Sequence, residues 1–138
     1  MSKKEETQID YNMQNTLQST IGIEITDIED DFVCGKMPVD ERTVQVFGIL
    51  HGGASVALAE SLGSIAGSMQ VDSQNEVVMV VEINANHLQS VTDGWVFGKA
   101  SPIRVGKRMH VWEIHITNDK EDLICISRLT LAVIKRRK

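Results

Sequence analysis

The chain has 138 residues, of which 42% are hydrophobic and 24% charged. That is enough for one globular domain with its own core, and too little for two ordinary ones. A net charge of −5 speaks against nucleic acid or an anionic membrane as partner. The two cysteines, Cys34 and Cys125, lie far apart in strand-like runs, which suits a reducing cytosol rather than a disulfide framework.

Residues 1–9 are polar and are expected to fray, with no apolar stretch that would make them a signal peptide. Met13, Leu17 and Ile21 fall at helical spacing and predict a short helix over 10–20. Residues 22–28 and 32–38 read as strands joined by the acidic turn Glu29-Asp30-Asp31. A loop over 39–50 carries Gln45, Phe47 and Gly48. Residues 53–70 give the clearest helix, with Ala54, Ala57, Leu58, Ser61, Leu62, Ile65, Ala66 and Met69 on one stripe. The opposite face is read as Gly53, Val56, Glu60, Gly63 and Gly67, small enough to let another backbone approach. Alternating residues from Val77 to Asn86, then 94–104, 107–117 and 123–134, predict four more strands. No run reaches the length of a membrane span. The closing Lys135-Arg136-Arg137-Lys138 reads as a solvated basic tail, with a phosphate contact as the long shot. Strand, strand, long helix and four strands in meander order point to an α+β hotdog fold: an antiparallel sheet wrapped round one central helix.

Glu60 is the one charge between Ala54 and Gln70. An ionised carboxylate is costly to bury unpaired, so its presence in an apolar helix marks it as functional or as a satisfied interface group. Ser64, one turn on, is within reach of a hydrogen bond to it. His51-Gly52-Gly53 opens the same helix, where free N–H groups and the helix dipole would stabilise an oxyanion. Read alone, the two glycines are better taken as a flexible helix entry, and His51 equally as a cap or a core histidine. Gly52 and Glu60 are separated by about 12 Å along a helix, too far for one carbonyl to touch both. A second copy running antiparallel would bring the Glu60 of one chain to the Gly52 of the other, which predicts a dimer with a shared site. No G-x-S-x-G elbow, H-E-x-x-H, G-x-G-x-x-G or P-loop is present, and the four histidines lack metal-ligand spacing. No metal is expected.

The stretches MPVDERTVQVFGILHGGASVALAESLGSIAG, VEINANHLQS, WEI and SRLTLAVI are similar to those of the bacterial hotdog thioesterases acting on 1,4-dihydroxy-2-naphthoyl-CoA in menaquinone synthesis. They also resemble relatives that clear aryl-CoA or mischarged aryl carrier protein, and more distantly the 4-hydroxybenzoyl-CoA and phenylacetyl-CoA branch. The resemblance runs through most of the chain from residue 22. It implies a cytoplasmic thioester hydrolase that needs no cofactor, coenzyme A being part of the substrate. It implies Glu60 as catalytic carboxylate, acting as nucleophile or general base, and Gly52 as the amide that polarises the carbonyl. Gln45 and His51 would orient the thioester and assist the departing thiol, and Ser64 would position water. It sets Gln45, His51 and Gly52 of one subunit against Glu60 and Ser64 of the next, in a homo-oligomer expected to be a dimer of dimers. Val80, the segment His87-Leu88-Gln89-Ser90, and the segment Arg104-Val105-Gly106-Lys107-Arg108-Met109 would contact the acyl-CoA. The basic residues of the last segment suit its phosphates. Two positions depart from the pattern: Val46 stands where close relatives often carry proline, and Val80 where some carry glycine. They imply a less rigid Gln45 loop and a narrower channel. Two other readings stay open: proofreading of thioesters on a carrier protein, and a silent acyl-CoA-binding module.

Overall fold

The computed structural model describes residues 9–137. The fraying expected of residues 1–9 therefore falls, but for Ile9, outside the described residues. Among the described residues six strands form one fully antiparallel sheet: β1 Glu24–Ile28, β2 Val33–Pro38, β3 Glu76–His87, β4 Trp95–Val105, β5 Met109–Thr117 and β6 Leu123–Lys135. Their order across the sheet is β1-β2-β4-β5-β6-β3. Among the described residues two helices accompany it, α1 Leu17–Thr20 and the long α2 Gly52–Ser68, which packs on one face of the sheet. This is the α+β hotdog arrangement, and each strand begins and ends within two residues of its expected position.

Period-two patterning sets the packed face. His110, Trp112, Ile114 and Ile116 of β5 are buried, while Glu113 and His115 between them point outward. Cys125, Ser127, Leu129 and Leu131 continue that layer on β6. Against it α2 sets Leu58, Leu62, Ile65 and Ala66. The contact is made close by glycines on both sides. A Cβ on Gly35 or Gly98 of the sheet would stand 2.8 or 2.7 Å from the Leu62 methyls. A Cβ on Gly63 or Gly67 of the helix would stand 2.3 or 2.2 Å from the methyls of Leu129 and Leu131.

Two expectations are corrected. Gly63 and Gly67 face this chain's own sheet and not a partner helix. The open face of α2 is instead formed by Gly53, Ala57, Glu60, Ser64 and Ser68, still small apart from the carboxylate. The helix predicted over 10–20 shrinks to one turn at 17–20, started by a capping box between Thr16 and Ser19. Asn15 at φ 65° breaks the helical path. Asn12 pairs with Ile25 through both carboxamide atoms, which ties the preceding segment to the edge of β1. Met13 and Leu17 are accordingly exposed rather than forming a packed stripe.

Pro102 is tolerated in β4 because β2 pairs only with Trp95–Ala100, so beyond Ala100 that side of the strand needs no N–H. At the far edge β3 carries a bulge between Val80 and Glu82 and exposes Met79, Val80 and Val81. Among the described residues no helix is long and apolar enough to cross a membrane.

Candidate active site

The chain reaches α2 through a tight hairpin. Its turn from β2 is fixed by Thr43, whose Oγ1 donates to the Pro38 carbonyl at 2.8 Å and accepts from the Asp40 N–H. Arg42 donates to Asp40 through Nε and Nη2, which holds the Asp40 carboxyl below its usual range. The hairpin arms pair from the His51 N–H to Thr43 O at 2.8 Å and from the Gln45 N–H to Ile49 O at 2.9 Å. Gly48 supplies the positive φ, 81°, that the turn requires. The loop lacking proline at Val46 is thus held by its ladder.

This hairpin presents Gln45 and His51 together. Gln45 Oε1 accepts from the Phe47 N–H, and its NH2 group makes no bond among the described residues. His51 is the N-cap of α2, and its Nδ1 accepts from the Gly53 N–H at 2.8 Å. A neutral ring that accepts at Nδ1 carries its proton on Nε2, so His51 offers a donor outward. The Gly52 N–H donates to no group among the described residues. It stands at the positive end of a 17-residue helix. His87, at the end of β3, closes over it: a Cβ on Gly52 would meet His87 Nε2 at 2.9 Å. The helix start is therefore a cluster of hydrogen-bond donors.

Farther along the open face stands a lone acceptor. Glu60 is half-buried, and its carboxylate has no hydrogen bond or ion pair among the described residues. Ser64 shares that face but makes no bond to Glu60; its carbonyl accepts from Ser68. Eight residues of helix, about 12 Å, part Glu60 from Gly52.

The two segments expected to contact acyl-CoA lie at opposite ends of α2. His87-Leu88-Gln89-Ser90 sits at the helix start, exposed, with the Leu88 N–H bonded to Ile124 O and Gln89 Nε2 bonded to Asp122. Arg104-Val105-Gly106-Lys107-Arg108-Met109 forms the β4–β5 hairpin, closed by the Gly106 N–H on Met109 O at 2.9 Å. It lies beside Gln70 and Val71, which follow the helix end. The helix length, about 25 Å, separates the segments within one chain. Val80 lies on β3 just before the bulge, 39% exposed. Among the described residues no group of three or more His, Cys, Asp or Glu could hold a metal ion.

The contact of His87 with Gly52 has no local sequence signal, because the β3–β6 register that puts His87 opposite Cys125 and beside the helix start is long-range.

Comparison with known proteins gives a consistent picture. The Thioesterase superfamily profile matches residues 47–125. The 1,4-dihydroxy-2-naphthoyl-CoA hydrolase of Listeria monocytogenes is 48% identical over 122 residues, 88% of this chain and 98% of that one. The proofreading thioesterase EntH of Cronobacter turicensis is 44% identical over 119 residues, 86% of each chain. The crystal structure of a thioesterase from Haemophilus influenzae superposes with a TM-score of 0.85 at 48% identity, covering 88% of this chain and 85% of that one.

Proposed function

The chain belongs to the thioesterase superfamily and is a thioester hydrolase, and from that premise we propose that it cleaves an aromatic acyl-CoA across a subunit boundary. The observation that carries this is the division of α2 into a donor-only start and a lone, unpaired carboxylate about 12 Å away. Neither half can complete the chemistry by itself. A second copy packed antiparallel on the open face of α2 sets the partner's Glu60 against Gly52.

The thioester carbonyl oxygen then rests on the Gly52 N–H, where helix-end charge and hydrogen bonding stabilise the oxyanion that forms. Glu60 either takes a proton from the attacking water, or attacks the carbonyl itself to form a mixed anhydride, which water then hydrolyses to release the acid and restore the carboxylate. Ser64 holds water on the Glu60 side. The tetrahedral centre collapses with loss of the thiolate, toward which His51 Nε2–H and the Gln45 NH2 are free to donate. The products are the acid and free coenzyme A, and no metal or redox group takes part. The same packing brings the partner's β4–β5 hairpin toward this chain's His87–Ser90, joining the two substrate segments. The exposed edge of β3, with Met79, Val80 and Val81, gives the second copy a strand to pair with. Dimers of this kind would associate in pairs.

The similarity to the Listeria hydrolase favours 1,4-dihydroxy-2-naphthoyl-CoA as substrate and a place in menaquinone synthesis. The similarity to EntH supports a second reading, with the acyl group on a carrier protein. Release of free thiol across an acyl-CoA panel, set beside the same acyl groups on carrier protein, decides between them. Glu60→Ala should lower turnover about a thousandfold or more while substrate still binds. Turnover retained in that variant would overturn the mechanism, and binding without thiol release in the wild type would leave an acyl-CoA-binding module.

A further inference from the structure

A cavity of about 930 Å³ opens at the far end of α2, between the helix end, the start of β3 and the N-terminal segment. Its apolar wall is made by Ile9, Met69, Val77, Val78 and Met79, and Tyr11 and Ser68 also line it. Asp72, Glu76 and Arg136 border it as well, but each is engaged in the turn that leads into β3. Asp72 accepts from the Gln74 N–H and from Asn75, and its own N–H donates to Glu76 Oε1 at 3.4 Å. Arg136 Nε donates to Ser73 O at 3.1 Å, so the closing basic run is no free tail as far as this residue. Two carboxylates beside the cavity repel a phosphate or a carboxylate, and the space suits an uncharged, mostly apolar guest.

Tyr11 is fixed here from the next residue on. The Asn12 N–H donates to Asp10 Oδ1 at 2.9 Å, and the Asn12 carboxamide clasps the backbone of Ile25. The Tyr11 ring packs against the core and is half-buried, yet its hydroxyl makes no hydrogen bond among the described residues. Burial raises its pKa, so the hydroxyl keeps its proton at neutral pH and remains a donor. Ser68 is complementary: its hydroxyl donates to Ser64 O at 2.9 Å, which leaves Oγ as an acceptor. A phenolic hydroxyl, donor and acceptor at once, matches the two.

Glu60, Ser64 and Ser68 follow one another at one-turn intervals on the open face of α2. Ser68 stands about 6 Å beyond Ser64 and about 12 Å beyond Glu60. An acyl group with its carbonyl at Glu60 reaches the cavity through one or two aromatic rings, and not through a short aliphatic chain. We propose that the cavity takes the ring of the acyl group, and that Tyr11 selects a hydroxylated aromatic acid by hydrogen bonding to its ring hydroxyl. The proposal rests on the reading that the substrate is an aromatic acyl-CoA cleaved at Glu60. It brings the N-terminal segment, which has no part in breaking the thioester, into the choice of substrate.

The test is a ratio of rates. Thiol release gives kcat/KM on benzoyl-CoA with its 3- and 4-hydroxy forms, and on 2-naphthoyl-CoA with its 4-hydroxy form, for the wild type and Tyr11→Phe. Phenylalanine keeps the ring and loses only the hydroxyl. The preference for a hydroxylated ester over its plain counterpart should fall about three- to tenfold, as loss of one neutral hydrogen bond implies. A preference unchanged in every pair, whether both rates hold or both fall, would overturn the role of Tyr11. Should Tyr11→Phe fold poorly, Ser68→Ala on the exposed face should shift the same ratio in the same direction. Thioesters of N-acetylcysteamine, which lack most of coenzyme A, should show the same shift. A shift confined to the coenzyme A esters would set Tyr11 beside the pantetheine arm and overturn the acyl pocket. A wild type that hydrolyses aliphatic but no aromatic esters would defeat the aromatic reading itself, whereas aromatic turnover with an unchanged preference defeats this inference alone.

Discussion

The His87 imidazole lies over Gly52, so close that a Cβ there would stand 2.9 Å from Nε2 and 3.1 Å from Cε1. Gly52 has ordinary helical backbone, so alanine would suffer no left-handed strain there. His87 is exposed at the end of β3 and can swing aside. Gly52→Ala should therefore leave the melting temperature within about 2 °C of wild type. It should nonetheless lower kcat/KM about tenfold or more, because the methyl displaces the ring and crowds the Gly52 N–H. If the His87→Ala variant and the G52A/H87A double variant turn over equally, the ring is the cause. Wild-type kinetics in Gly52→Ala would show that the methyl neither displaces the ring nor crowds the N–H.

His51 has two separable tasks. Its Nδ1 caps α2 through the Gly53 N–H, and its Nε2 faces outward. Asparagine can cap but cannot place a donor at the Nε2 position. His51→Asn should keep stability within about 0.5 kcal/mol and still lose turnover, whereas His51→Ala should lose both, with about 1 kcal/mol of destabilisation. Urea melts and thiol-release rates on the two variants check this. Equal stability in both would mean the cap contributes nothing.

Gly63 and Gly67 make the sharpest contrast with what the residues suggested. A stripe of small residues on a helix looks the same in sequence whether it receives a partner helix or the side chains of its own sheet. Here it receives Leu129 and Leu131, both fully buried. Gly63→Ala should cost about 1–3 kcal/mol by overpacking, offset by about 1 kcal/mol of helix propensity. The net loss should appear in urea denaturation and be largely recovered by pairing with Leu129→Val. The sedimentation coefficient should not change, since Gly63 faces no other subunit. A smaller species at unchanged stability would return this glycine to an interface.

The strands were legible because alternation is local: Trp112, Ile114 and Ile116 announce both a strand and its buried face. The helix over 52–68 was legible from its length, and Glu60 from its isolation within it. The N-terminal helix was misjudged because spacing at Met13, Leu17 and Ile21 says nothing of Asn12, whose side chain prefers the backbone of Ile25. The candidate site was only half legible for the same reason. Gln45, His51 and Gly52 are neighbours in sequence and share one hairpin and helix start. The His87–Gly52 contact depends on which strands pair, and no local pattern encodes strand order.

The division of α2 between donors and carboxylate makes a prediction that no single-chain site would satisfy. Glu60→Ala lacks the carboxylate but keeps Gly52 and its donors, and Gly52→Pro lacks the amide N–H but keeps Glu60. Each alone should be nearly inactive. Unfolded together in equal amounts and refolded, they should form half their dimers as mixed pairs. In a mixed pair one site receives the intact Gly52 of one chain and the intact Glu60 of the other, and the second site receives neither. Random assortment then restores roughly a quarter of wild-type activity, since one site in two is whole in half the dimers. Refolding each variant separately before mixing should restore none until the chains exchange. Proline at 52 is compatible with the first position of a helix, so the partner variant should still fold. If the mixture stays as inactive as its components while a mixed dimer is demonstrated by mass, Glu60 and Gly52 do not meet across the boundary. The acyl group would then have to be held by an arrangement that does not place both residues at one carbonyl.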